Sequence, residues 1–404
     1  MSVASTDFTR EACQTYARIN VEGLEWMLAR PSGHFPFLDL RVNSITMRDF
    51  TKADGLRSPE YVYGWIQGRG LEALMTHGIW LKERNGDLSE RLLARARLLY
   101  DALVDLVDRD GGAYFIYDRS LVPAWPDELG VLHPQALRNG YRGPADAFVA
   151  KGLIAAAKHF GDHRLDDWLA YLDDIVASIE QDRFILAEKQ LFGAEAIARQ
   201  ATNYSQRMLL LSAAGLLDRL DMREAGTFGM RLITHVLENH LHSGRNLLSD
   251  EVGGDFTNPG HAIEFAGFAL PYCQATGFET PVPALLDLVE GCAAQGFSGP
   301  GFTIGASIAT GRIESLTYPW WTLPETIRAS AYAYAISGEQ RFLDIWREAH
   351  DRFFANYWRG HPPYSIQNRD INGPVDVTPA TPDLDPLYHT GLSLLGAIEA
   401  MDIR

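Results

Sequence analysis

The alternation of short and long connections between helical segments constrains this chain more than any other feature. Apolar residues recur at three- and four-residue spacing, the pattern of helices that bury one face. Twelve stretches show it: 8–29, 57–83, 88–108, 144–160, 163–182, 193–219, 221–241, 258–276, 281–295, 320–337, 339–358 and 383–402. The second and third, fourth and fifth, sixth and seventh, eighth and ninth, and tenth and eleventh are joined by short connections, among them Gly161-Asp162 and the region of Gly338. The remaining connections are long and hold most of the glycine, proline and β-prone fragments, such as GGAYFIYD, SGPGFTIGAS and HPPYSIQNRDINGP. In a chain of antiparallel hairpins, alternate connections emerge at opposite ends. The long loops therefore share one rim and the tight turns the other. Six such hairpins predict an all-α (α/α)6 barrel, a toroid of inner and outer helices that takes up residues 1–404 as a single domain. A site is expected among the long loops. A helical-repeat solenoid would need a recurring consensus of about 34–47 residues, and none is visible.

Composition narrows the partners. Lys and Arg total 36 against 52 Asp and Glu, a formal charge of −16. An acidic surface repels phosphate backbones, so no nucleic-acid partner is expected. Apolar runs such as Met208 to Leu211 and Gly152 to Ala157 fall far below the roughly 20 residues that span a bilayer. The opening MSVASTDFTREACQ has no basic stretch leading into an apolar one, unlike a secretory signal. Cys13, Cys273 and Cys292 are sparse and odd in number, which fits a reducing compartment. A cytoplasmic protein acting on a small molecule is expected, with a homodimer left open.

The densest chemical cluster is Asn258-Pro259-Gly260-His261-Ala262-Ile263-Glu264. Asn258 can cap a helix and Pro259 suits its first position, which places His261 in the first turn. Glu264 follows three residues on, within reach of the imidazole, where a carboxylate can orient the ring and raise its basicity. A first-turn histidine that merely packs is the bland alternative. Tyr388-His389 opens the last helix, after a loop carrying Arg369-Asp370, so two histidines would face one rim. Trp320-Trp321 with Glu325 opens another helix, and Trp65, Gln67 and Arg69 lie in the second. Aromatic faces beside such polar groups suit a sugar, although tryptophans also simply fill cores.

Other features carry less. His240-Leu241-His242 has spacing that makes helical rings diverge, and no third ligand follows, so no metal is expected. Gly299-Pro300-Gly301 with Gly305 does not lead from a strand into a helix, so no dinucleotide cofactor is expected either. Gly305-Ala306-Ser307-Ile308-Ala309 lacks the last glycine of a nucleophile elbow. Asp101, Asp105 and Asp108 read as a solvated helix face.

Together these residues resemble the N-acylglucosamine 2-epimerase family, which includes cellobiose 2-epimerases, mannose isomerases and sulfoquinovose isomerases. The resemblance rests on NPGH-x-x-E at 258–264, Trp65-Ile-Gln67-Gly-Arg69, and Gly111-Gly112-Ala-Tyr114-Phe115 with Asp118. Asp146-Ala-Phe148, Trp320-Trp321 with Glu325, Arg369-Asp370-Ile-Asn-Gly373-Pro374 and Tyr388-His389 complete it, in family order over about 65–402. It implies the same barrel and cofactor-independent proton transfer next to a sugar carbonyl. His261 and His389 match the two histidines that move the proton. Glu264 and Glu325 would set their orientation and charge, and Arg69 would stabilise the developing oxyanion. Tyr114, Asp118, Trp320, Trp321, Arg369 and Asp370 fall at substrate-binding positions. Many members carry a third histidine in a segment resembling N-P-x-M-H-x-x-E-A. Here the region reads Ala201-Thr-Asn203-Tyr204-Ser205-Gln206-Arg207-Met208, with Asn203, Gln206 or Arg207 expected to contact substrate instead.

Two other functions remain open on the residues. A glycoside hydrolase or polysaccharide lyase of this fold would need a carboxylate pair, which Asp118, Asp146, Glu264 and Glu325 could supply. A non-catalytic sugar-binding protein could keep the fold without the activity.

Overall fold

The computed structural model describes residues 3–402. Among them the α-helices are α1 (Val3–Ala29), α2 (Gly64–Leu81), α3 (Gly86–Asp110), α4 (Pro144–Phe160), α5 (Leu165–Glu180), α6 (Ala194–Arg199), α7 (Ser205–Arg219), α8 (Phe228–His240), α9 (Pro259–Thr276), α10 (Val282–Gly296), α11 (Thr322–Ser337), α12 (Gln340–Asn356) and α13 (Ser393–Asp402). Among the described residues, no helix is long and apolar enough to cross a membrane.

The chain divides into two compact units, neither of them a continuous stretch. One comprises residues 25–201 with 380–388. In it α2 packs on α3 and α4, and α4 on α5. Helices α2 and α4 are buried nearly all round, while α3 and α5 bury one apolar stripe, as inner and outer members of hairpins do. The α2–α4 contact is a backbone contact. A Cβ at Gly68 would fall 2.5 Å from the Phe148–Val149 peptide, so only glycine fits. The long loops of this unit fold into a four-stranded antiparallel sheet made of Val62–Tyr63, Ile116–Tyr117, Pro123–Pro126 and Leu132–Pro134.

The other unit comprises residues up to 24, 202–379 and 389–404. Here α7, α9, α11 and α13 pack in succession, with α8 against α7, α10 against α9 and α12 against α11. Helix α12 shows the stripe of an outer helix, burying Phe342, Leu343, Trp346, Ala349 and Phe353, whereas α9 and α11 are buried on most sides. Helix α9 stops at Gly277, whose φ of +71° only glycine adopts without strain. Short antiparallel pairs stiffen the long loops, including Phe256–Thr257 with Ala306–Ser307, and Tyr318–Pro319 with Asn368–Asp370 and Gly373–Pro374.

Among the boundaries that differ from the periodicity, three have a visible cause. The stretch 57–83 becomes helical only at Gly64, because Val62–Tyr63 is taken by strand pairing to Ile116–Tyr117. The stretch 193–219 is two helices. Asn203 breaks it by accepting the Ser205 N–H on its own side chain at 2.7 Å and bridging to Glu251. The last stretch begins as a π-helical turn, Tyr388–Leu392, entered through Leu387 at φ +59°.

Candidate active site

Three local devices converge in the unit that holds α7 to α13. The first is the start of α9. Asn258 accepts the His261 N–H on its side chain at 3.1 Å, and Pro259 takes the first helical position. Gly260 is required there, since a Cβ would meet Thr322 Cγ2 at 2.8 Å and the Trp321 ring at 3.1 Å. The helix start therefore lies directly on the start of α11.

The second device is Trp320-Trp321. The His261 imidazole stacks on the Trp321 ring, centroids 5.4 Å apart and planes at 27°. His389 lies against the same indole, 5.6 Å away and at 36°. Trp320 meets His389 edge-on at 6.3 Å, and its indole N–H donates to Thr390 Oγ1 at 3.2 Å. The Trp321 indole thus gathers both histidines.

The third device is the π turn that carries His389. Such turns aim a side chain where regular helix geometry would not. His389 Nδ1 lies 2.9 Å from Glu325 Oε1 and 3.9 Å from Glu264 Oε1. The second Glu325 oxygen pairs with Arg328. Glu325 is 1% exposed, so these contacts are made out of reach of water.

Glu264 corrects one sequence expectation. The spacing predicts it beside the His261 ring, but its carboxylate faces His389. Glu264 shares its helix face with Gly260 and Gly267, which lie against Thr322 and Ala329 of α11, whereas His261 is turned about 100° from Gly260. The hydrogen-bonding side chain beside His261 is instead Ser205, whose Oγ is 3.4 Å from His261 Nδ1. Burial pushes the His261 imidazole down to about 4, and the charge of His389 adds to this. His261 is therefore neutral at neutral pH and able to accept a proton.

Asn203 donates to Asp250 Oδ2 at 3.4 Å, and Asp250 Oδ1 accepts the Asn258 N–H at 3.0 Å. Burial pushes the Asp250 carboxyl up to about 6 against the pull of these two donors. Gln206 is half-buried. The charge of Arg207 acts on His235 and His240 of α8, adding to the burial that lowers both. Arg369 donates to the Asn356 carbonyl at 2.9 Å, and Asp370 accepts the N–H groups of Asn372 and Gly373 within its own hairpin.

The remaining expected residues lie in the other unit. The Arg69 guanidinium sits over the rings of Phe148, Trp65 and Tyr388 at 4.1, 5.2 and 5.3 Å, a cation–π cage. Gln67 is spent on both backbone groups of Leu38. Tyr114 donates to the Ala136 carbonyl at 3.2 Å under the Arg138 guanidinium, and Asp118 closes a turn at Ser120 and Val122. Asp146 accepts from Ala113, Gly143, Tyr171 and Arg138 with no exposed surface. As carboxylates for hydrolysis, Asp118 and Asp146 are already engaged.

Sequence reading missed several buried groups. Glu188 accepts from the Trp65 indole and from the Ala145 N–H at 3.0 Å, and burial pushes its carboxyl up to about 8. Lys151 is fully buried between Glu72 at 2.8 Å and the Tyr388 hydroxyl at 2.6 Å. Each partner is distant in sequence, so no local pattern announces these pairs. Among the described residues, the one group with cation-ligand spacing is Glu264, Glu325 and His389. There Glu325 is already engaged on both oxygens, by His389 and Arg328. His240, from the doubtful metal pair, instead meets the Ser249 carbonyl at 2.9 Å.

No protein-family model and no curated protein matches this chain. Solved structures do. A cellobiose 2-epimerase from Bacillus thermoamylovorans aligns with a TM-score of 0.72 at 16% identity, covering 96% of this chain and 99% of the epimerase. A D-mannose isomerase aligns at 0.68 and 12%, covering 99% of each chain. A glycoside hydrolase family 76 mannosidase from Bacteroides thetaiotaomicron aligns more distantly, at 0.55 and 10%, over 96% of this chain and 98% of its own. The (α/α)6 barrel expected from the loop alternation is the fold of this chain.

Proposed function

We propose that this protein is a carbohydrate isomerase, a sugar 2-epimerase or aldose–ketose isomerase, working without metal or nucleotide cofactor. The observation that carries the reading is the pair of histidines against one indole with unlike partners. His389 has a carboxylate at Nδ1, and His261 has a hydroxyl. Environments that separate two titratable groups in this way suit one to give and one to take a proton. The fold shared with a cellobiose 2-epimerase and a D-mannose isomerase supports the same class.

In the proposed reaction the sugar ring opens to expose the C1 carbonyl. A histidine takes the C2 proton, and the electron pair of the broken C–H bond moves to form a cis-enediolate. Return of a proton to the opposite face of C2 gives the 2-epimer, with C1 again a carbonyl. Delivery to C1, with the hydroxyl proton of O2 passing to O1, instead leaves the carbonyl at C2, a ketose. Glu325 stabilises an imidazolium at His389.

The test is incubation of chelator-treated protein with a panel of aldoses, ketoses and glycosides, read by NMR. Interconversion of a sugar with its 2-epimer or ketose is the expected result. Release of reducing ends from a glycoside without interconversion would favour the hydrolase reading. Activity lost on chelation and restored by one divalent metal would refute the cofactor-free mechanism.

A further inference from the structure

We propose that Ser205 is a positioning residue for His261, accepting the Nδ1 hydrogen so that Nε2 is the nitrogen that exchanges a proton with the sugar carbon. The inference rests on the reading above, in which His261 is a base.

A histidine that takes a proton at Nε2 must carry its neutral hydrogen at Nδ1, and the group facing Nδ1 decides this. For His389 that group is the Glu325 carboxylate at 2.9 Å. For His261 it is the Ser205 hydroxyl at 3.4 Å. A hydroxyl can accept the Nδ1 hydrogen without adding negative charge, and in that role it orients the ring and leaves it unprotonated.

Both ends of the Ser205–His261 contact are fixed by one closed run of hydrogen bonds. The Ser205 N–H donates to Asn203 Oδ1 at 2.7 Å, and the Asn203 amide donates to Asp250 at 3.4 Å. Asp250 accepts the Asn258 N–H at 3.0 Å, and the Asn258 side chain accepts the His261 N–H at 3.1 Å. The first turns of α7 and α9 are thereby locked together, with Ser205 and His261 facing each other across them. On its other side the imidazole is stacked on Trp321, which opposes a ring flip. This run also accounts for the break between α6 and α7: an unbroken helix would lack the Asn203 turn that places Ser205.

The test uses the full-length protein with ¹⁵N-labelled histidine, the His261 signals being assigned through His261→Asn. At pH 7 the wild type is expected to show the Nδ1–H tautomer. Ser205→Ala should redistribute the hydrogen between the two nitrogens, and Ser205→Thr, which keeps the hydroxyl, should restore it. In kinetics, Ser205→Ala should lower kcat by about 3- to 10-fold with KM little changed, the range for one lost hydrogen bond, and Ser205→Thr should recover most of it. An Nε2–H tautomer in the wild type, or unchanged populations in Ser205→Ala, would overturn the proposal. If wild type exchanges no proton with any sugar, the proposed function fails, and the tautomer measurement still decides the role of Ser205.

Discussion

Glu325 holds His389 and Arg328 at once, one carboxylate oxygen on His389 Nδ1 at 2.9 Å and the other on the Arg328 guanidinium. Arg328 is in turn seated over the Phe268 ring at 4.1 Å. The carboxylate is thus fixed by its neighbours on both sides, and it orients the imidazole of the π turn.

Replacing Glu325 with Gln keeps the shape and removes the charge. We expect kcat to fall by roughly 10- to 100-fold with KM changed far less, because the carboxylate orients the imidazole and stabilises its charge during proton transfer. The buried Arg328 loses its counter-charge as well, so the melting temperature should drop. Breaking a buried pair costs up to about 3–5 kcal/mol, and the amide, which keeps a hydrogen bond, should fall at the lower end. Steady-state kinetics and thermal unfolding measure the two effects.

His261→Asn and His389→Asn should each lower turnover by about 10² to 10⁴, the range for a general acid–base group, with the melting temperature little changed for His261→Asn. Near-normal turnover in both would remove the histidines from the mechanism.

His261 also predicts a pH dependence of stability. Its folded value, about 4, lies below the ordinary 6.5 because of burial, so the unfolded chain binds the proton first as the pH falls. Its contribution is present in full above about 6.5 and is lost as the pH drops toward 4. Wild type should therefore lose melting temperature over this window, and His261→Asn should lose measurably less. Equal slopes in the two proteins would contradict the burial of a neutral imidazole.

How much of this was readable from the chain follows from where each partner lies. Asn258-Pro259-Gly260-His261 and Trp321 with Glu325 are local, set by a cap and a helical turn, and the structure brings both to one indole. The barrel was readable because hairpin alternation is a property of loop lengths alone. Ser205, Arg328 as partner of Glu325, Glu188 and Lys151 were not singled out. For Ser205, Glu188 and Lys151 the deciding contacts, to His261, Trp65, and Glu72 and Tyr388, join residues far apart in sequence. The break in 193–219 was hidden because Asn203 turns the chain for a partner, Asp250, that periodicity cannot show.

Glu188 predicts the opposite slope. Burial foremost raises its carboxyl to about 8, opposed by the Trp65 indole, while the unfolded chain ionises it near 4.5. Its stabilising contribution is complete below about 4.5 and is lost as the pH rises through 8. Glu188→Gln, which does not titrate, should gain on wild type as the pH rises, by at least about 1 kcal/mol between pH 4 and 8. Denaturant unfolding at the two pH values checks the sign.

Proton transfer at C2 is the central claim, and solvent deuterium reads it directly. The chelator-treated wild type, incubated in deuterium oxide with a sugar it converts, should place deuterium at C2 of the epimer, or at C1 of the ketose. His261→Asn and His389→Asn should reduce that incorporation in step with turnover. A product formed at the normal rate with no deuterium at either carbon would show that no exchangeable histidine carries the proton, and would contradict the account.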